Sequence, residues 1–176
     1  MKNIVKMYLI FFYLLIAFGC SNEDKSAGIR DKILPAHEFP KITGMETALV
    51  VDDIHNFNHR EADMTQEQVQ LLKDAGVKQI ARVLYSVDKS DRTKVIVGEV
   101  FLYESKQRAI EHLTSLISNG LNNQAVEVSK IGDKAYKYRN KRISFVKGNV
   151  GVGLTEINTS VDVQEFAQFY ADWINN

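Results

Sequence analysis

The pattern of apolar and polar positions predicts two similar units, each made of two strands and a helix. The first covers residues 77–117 and the second covers residues 142–174. In each unit, two runs rich in β-branched residues flank a short polar turn, which is typical of a β-hairpin. A stripe of apolar residues at helical spacing then follows the hairpin. The stripes comprise Ala109, Ile110, Leu113, Leu116 and Ile117 in the first unit, and Val163, Phe166, Ala167, Tyr170, Trp173 and Ile174 in the second.

Capping signals place the helix ends and add one helix before the first unit. The N-caps are expected at Thr65, at Ser105, and at Ser160 or Asp162. Gln68 follows Thr65 at the spacing of a capping box, and Gly76 is expected to end that helix. Residues 47–51 are predicted to form a strand or a short helix, and a further strand is predicted over residues 125–129, leading into residues 131–138.

These elements predict an α+β fold. An antiparallel sheet with the helices packed on one face would bury both apolar stripes. The two strand-turn-strand-helix units would then form a structural pseudo-repeat without clear sequence identity. Residues 33–176 are enough for one domain with a single core.

The N-terminus has the order of features of a targeting signal. Lys2 and Lys6 precede twelve uncharged residues, 7–18, and Ala17-Phe-Gly-Cys20 follows. Twelve helical residues span roughly 18 Å, whereas a bilayer core needs about 30 Å. The segment resembles a bacterial lipoprotein signal peptide. This resemblance implies removal of residues 1–19 and a lipid on Cys20 that carries at least two acyl chains, palmitate among them. An uncleaved anchor and a secreted protein cut elsewhere are the alternatives.

The signal implies a lipid-anchored protein of the cell envelope. Residues 20–32 are predicted to form the lipidated cysteine and a flexible tether, since residues 21–30 contain only one large apolar side chain. The residue after the cysteine is Ser21 and not aspartate, which resembles a signal for sorting to the outer membrane. The domain would then lie on the periplasmic or cell-surface side. Cys20 is the only cysteine, so the mature domain has no disulfide, cysteine nucleophile or thiolate metal site.

Four short motifs in the domain are similar to those of extracytoplasmic lipoprotein domains of uncertain function. They are Gly76-Val-Lys-Gln-Ile-Ala-Arg82, the helix from Ala109 to Leu113, Gly132-Asp-Lys-Ala135 and the hairpin Phe145-Val-Lys-Gly-Asn-Val-Gly-Val152. This resemblance spans roughly residues 65–174. It implies an envelope domain and assigns no catalytic residue.

A cationic run near the second unit is the best candidate binding surface. Residues 130–147 contain seven basic side chains and one acidic side chain, a net charge of +6. On a regular strand, Lys137, Arg139 and Lys141 would face one way, while Tyr136 and Tyr138 would face the core. Lys147 extends this surface. It would suit an anionic glycan or lipid; a nucleic acid is not expected, because aromatics do not share the cationic face. A solvated strand face is the alternative.

Two further motifs contain residue types that can bind a metal or a phosphate. His55 and His59 are four residues apart within a polar segment, and on one helix face they could bind zinc, although a polar surface loop is the alternative. Residues 148–153 are glycine-rich, but the alternation of valine and glycine is typical of a strand. Gly151 and Gly153 would share one face and leave room for a close neighbour.

The sequence therefore favours a non-enzymatic binding or structural domain anchored in the envelope, without a cofactor or a resident metal. An envelope hydrolase or metal-dependent enzyme that uses His55 and His59 is the alternative. The sequence does not identify a protein partner.

Overall fold

The computed structural model describes residues 27–58, 64–118, 124–139 and 141–174. Within these residues, seven strands form one sheet and four α-helices pack against it. The strands are β1 (Gly44–Val51), β2 (Val77–Ser86), β3 (Val95–Tyr103), β4 (Ala125–Glu127), β5 (Lys134–Tyr138), β6 (Arg142–Lys147) and β7 (Val150–Ile157). The helices are α1 (Ala27–Arg30), α2 (Gln66–Asp74), α3 (Lys106–Leu116) and α4 (Val163–Trp173), with a 3₁₀ turn at Ala36–Glu38.

The sheet has the order β1-β2-β3-β7-β6-β5-β4, and each neighbouring pair is antiparallel. Its centre is the pairing of β3 with β7, where Val100 lies opposite Val152. This pairing joins the two predicted hairpins side by side. The predicted α+β class, the antiparallel sheet and the repeated order of strand, strand and helix are confirmed.

The helices begin at the predicted caps. The Thr65 hydroxyl accepts a hydrogen bond from the Gln68 backbone N–H, while the Gln68 side chain accepts one from the Thr65 backbone N–H. The Ser105 hydroxyl accepts a hydrogen bond from the Arg108 backbone N–H at the start of α3. Asp162, rather than Ser160, caps α4, because its carboxylate accepts from the backbone N–H of Gln164 at 2.9 Å.

The helices lie on both faces of the sheet, which corrects the prediction that they share one face. On one side, the α4 face, Phe166 and Tyr170 pack against Tyr85 and Phe145 together with α1. On the other side, the α3 face, α2 and α3 pack over a second apolar cluster. The members of that cluster include Val51, Val69, Val77, Ile80, Ala109, Leu113, Tyr136, Tyr138 and Val146.

Both α3 and α4 cover the hairpin of β6 and β7, from opposite sides. This placement follows from the composition of β6, where Phe145 and Val146 point to opposite faces and are both buried. Helix α3 packs mainly against β6 and less against β3, so it covers the α3 face of β3 less completely than that of β6. The middle of that face is consequently open between α2 and α3.

The packed domain reaches back to Ile29, which falls within residues 20–32, the predicted tether. Ile29 has 0% exposed surface and belongs to the core on the α4 face. The backbone that follows Ile29 is bonded to α4 through the Tyr170 hydroxyl. This hydroxyl donates to the Lys32 carbonyl at 2.7 Å and accepts from the Leu34 N–H at 3.1 Å. The part of the tether that precedes Ala27 lies outside the described residues.

Candidate functional site: a groove on the α3 face

A groove runs over the middle of the sheet on the α3 face. Helices α2 and α3 form its walls, and strands β3 and β7 form its floor. The volume is about 170 Å³. Its apolar lining includes Leu49, Met64, Leu71, Leu72, Ile80, Val97, Phe101, Leu113, Leu116 and Ile157. Partly exposed apolar walls around a concave floor are typical of sites that bind small molecules.

Two glycines deepen the floor of this groove. Gly151 and Gly153 both face the groove, whereas Val150 and Val152 are buried on the opposite side, as the sequence predicted. A Cβ at position 151 would come within 2.8 Å of the Tyr103 ring. The missing side chain at position 151 therefore makes room for an aromatic ring.

A charged cluster lies in the groove beside Gly153. Arg82 on β2 and Glu99 on β3 are direct cross-strand neighbours, and their side chains meet at 3.3 Å. A second arginine, Arg142 on β6, reaches the other carboxylate oxygen of Glu99 at 3.8 Å. The exposed fraction of the side chain is 19% for Arg82, 22% for Glu99 and 40% for Arg142, so the cluster is only partly hydrated. We call these residues the Arg82–Glu99–Arg142 cluster.

Arg142 retains unused hydrogen-bonding capacity. Its Nε atom is buried and has no hydrogen-bond partner among the described residues. Its guanidinium group lies over the ring of Tyr138 at 5.9 Å, a cation–π contact. A buried donor without a partner costs about 1–3 kcal/mol. An acceptor oxygen that reached Nε would offset this cost.

Tyr103 and His112 form a second polar pair on the wall of the groove. The Tyr103 hydroxyl and the His112 Nδ1 are 2.8 Å apart, and the two rings meet edge to face. Burial lowers the pKa of His112 below its ordinary value and raises the pKa of Tyr103. Both side chains are consequently neutral at pH 7, so the pair adds no charge to the wall of the groove.

Of the two histidines that could bind zinc, the structure describes only His55. His55 is exposed in the turn after β1, where its backbone N–H donates to Asp53 and its carbonyl accepts from Lys73. His59 lies outside the described residues, as does Cys20. Among the residues that the structure describes, there is no group of three or more His, Cys, Asp or Glu side chains that could hold a metal ion.

The residues of the predicted cationic surface do not form one compact patch, because they lie on β5, in the turn after it and at the far end of β6. Strand β5 ends at Tyr138, and Arg139 adopts a left-handed conformation, so Arg139 and Lys141 lie exposed in the turn that leads to β6. Lys137 is partly buried and donates to Gln164 of α4 at 3.0 Å. Lys147 is at the far end of β6, roughly 17 Å from the start of that strand at about 3.3 Å per residue.

The tyrosines of β5 lie in the core, as predicted, since Tyr136 and Tyr138 are both buried on the α3 face. The sequence reading did not identify the charged cluster, however. A signal was present, because Glu99 interrupts an otherwise apolar strand and Arg82 lies between Ala81 and Val83 in the more apolar half of β2. A charged side chain in the middle of a buried strand requires a partner. When two strands of one hairpin each carry such a side chain, of opposite charge, the two are expected to pair.

Comparison with known proteins gives no match. No protein-family model, no curated protein and no solved structure matches this chain. In the described part of the chain, no helix is long and apolar enough to cross a membrane.

Proposed function

We propose that this chain is a lipid-anchored protein of the cell envelope whose domain binds a ligand in the groove without catalysing a reaction. The order of basic, apolar and small residues before Cys20 supports the anchor. Two acyl chains suffice for stable attachment to a membrane, so the domain can serve binding alone. We place the protein in the outer membrane, with the domain on the periplasmic or cell-surface side.

The observation that carries the binding function is the position of the Arg82–Glu99–Arg142 cluster inside an apolar groove. A site with apolar walls and a few converging polar groups recognises a ligand that has an apolar body and a polar end. The arginines act only as donors, because a guanidinium group stays protonated in proteins. Recognition is therefore better supported than proton transfer.

Binding can be measured with a neutral fluorescent probe, N-phenyl-1-naphthylamine, and the mature chain carrying Cys20→Ser. We expect fluorescence enhancement with saturable binding. Leu71→Lys and Leu116→Lys should each weaken it, because both side chains line the rim of the groove. Val126→Lys is the matched control, since Val126 is 65% exposed on β4 and does not line the groove. Equal binding by all four proteins would exclude the groove as the site.

An anionic glycan or lipid remains a proposed partner for the turn that contains Arg139 and Lys141. Both side chains are exposed, and clustered surface charges act together over about 10 Å at 0.1 M salt. Retention on heparin or lipopolysaccharide at low salt should be lost in the Arg139→Glu, Lys141→Glu double variant. Unchanged retention would assign the turn to an ordinary solvated surface.

A further inference from the structure

We infer that the groove binds a fatty acid, with its carboxylate held by Arg142 above Gly153 and its hydrocarbon chain along the apolar walls. This inference rests on the proposed function, because it names the chemistry of the ligand in the same groove. Three features carry it: the space over Gly153, the donors of Arg142, and the net charge of the Arg82–Glu99–Arg142 cluster.

The space over Gly153 is surrounded by polar atoms. A Cβ at position 153 would lie 3.7 Å from Nη2 of Arg142, 3.7 Å from Oγ of Ser144 and 3.8 Å from Oε2 of Glu99. These distances are ordinary van der Waals contacts, so the position accommodates a methyl-sized group without a clash. The guanidinium and hydroxyl donors match the acceptor oxygens of a carboxylate. Oε2 of Glu99 would repel a carboxylate, and the two arginines offset that repulsion.

Arg142 is the arginine that can accept a new partner. Arg82 lies closer to Glu99, at 3.3 Å, whereas Arg142 approaches the same carboxylate only to 3.8 Å. The unpartnered Nε of Arg142 and its Nη2 share one edge of the guanidinium group. That edge can donate two parallel hydrogen bonds to a carboxylate. The side chain as a whole is 40% exposed, whereas Nε itself is buried, so binding in this way requires the guanidinium edge to turn toward the groove.

The charge of the cluster favours a monoanion. Two arginines and one glutamate give a net charge of +1, so one carboxylate makes the occupied cluster neutral. A phosphate monoester, which carries close to two negative charges, would leave an excess negative charge beside Glu99. Solvent and salt screen partly buried charges less than exposed ones, so the difference in charge between a carboxylate and a phosphate monoester affects binding.

The apolar walls set the position of the hydrocarbon chain. The groove volume of about 170 Å³ is close to that of an apolar cavity of about 150 Å³ that holds benzene. A short stretch of a fatty acid therefore fits between Phe101 and Leu113. The remainder of a longer chain would leave the groove past Leu71, whose side chain is 47% exposed on α2.

The test compares decanoate, decanol and monodecyl phosphate, using the mature chain with Cys20→Ser and isothermal titration calorimetry. We expect decanoate to bind more tightly than either of the other two probes. Arg142→Gln should weaken decanoate binding roughly 10- to 100-fold, the loss expected for hydrogen bonds to a charged group. It should leave decanol binding unchanged. Arg142→Lys should recover part of the affinity, and Arg92→Gln, an exposed arginine in the β2–β3 turn, should have no effect.

A measurement on the parent protein makes the test independent of variant folding. With decanoate labelled by ¹³C at its carboxyl group, NMR should give a lower carboxyl pKa for the bound ligand than for the ligand in water, because Arg142 favours the charged form. An unchanged or raised pKa would overturn the inference, as would equal binding of decanoate and decanol, or tighter binding of the phosphate. Failure of decanol and of the neutral probe to bind would instead overturn the proposed function.

Discussion

The ring of Tyr103 lies directly over Gly151, and a Cβ at position 151 would come within 2.8 Å of its Cε2 atom. The glycine allows the ring to reach His112 on α3, so two residues on neighbouring strands position the wall of the groove. A larger residue at position 151 would displace the ring or separate β3 from β7.

Gly151→Ala should therefore destabilise the domain by about 1–3 kcal/mol, the usual cost of overpacking. Urea denaturation followed by circular dichroism measures the free energy of unfolding. Gly153→Ala is the matched control, because its Cβ would meet other atoms only at 3.7 Å or more. If the two variants unfold at the same urea concentration, the Tyr103 ring does not depend on Gly151.

His112 should make stability depend on pH. Its folded-state pKa lies below its ordinary value of 6.5, because burial disfavours the charged imidazolium. The neutral form thus contributes stability that is complete above pH 6.5. As pH falls from about 6.5 toward the folded-state pKa, only the unfolded chain takes up the proton, so this contribution is lost.

The measurement is the free energy of unfolding at several pH values between 7.5 and 5, for the parent and for His112→Gln. Glutamine can retain a hydrogen bond to Tyr103 but does not titrate. We expect a flatter pH dependence for His112→Gln over this interval. Asp88 does not contribute to the pH dependence over this interval, because its pKa of about 2 lies well below pH 5. Parallel curves would contradict the burial of His112.

The two large aromatics of α4 should differ in their contribution to stability. Phe166 has 0% exposed surface and contacts both Phe39 and Tyr85, whereas Trp173 is only partly buried at the end of the helix, beside Tyr170. Phe166→Ala should cost about 3–5 kcal/mol. Trp173→Ala should cost less, because less apolar surface is lost. Calorimetric melting of both variants checks the order, and an equal cost would show that Trp173 is as well packed as Phe166.

Cys20 is predicted to carry the membrane anchor. Cys20→Ala should leave the precursor uncleaved and abolish labelling by a radioactive fatty acid in cells, since lipid attachment requires the thiol. Ser21→Ala serves as a control that keeps the thiol and should be labelled like the parent. A mature-length, labelled Cys20→Ala protein would contradict the lipoprotein prediction.

Much of the local structure was determined by the sequence. The spacing of apolar residues predicted both hairpins and their helices, because each pattern matches one backbone period. Thr65 and Ser105 located two helix ends through hydrogen bonds within a single turn. The alternation of glycine and valine in β7 placed Gly151 and Gly153 on one face, as the structure confirms. These features depend on residues that are close in sequence.

Only the tertiary structure decided which face each helix covers and which charges meet. An apolar stripe requires a helix to be buried, but it does not say against which side of a sheet, and β6 offers an apolar surface on both sides. The Arg82–Glu99–Arg142 cluster likewise depends on the pairing of β2 with β3, β3 with β7 and β7 with β6. Strand register brings together residues far apart in the chain, and the position of α3 leaves them open to a ligand.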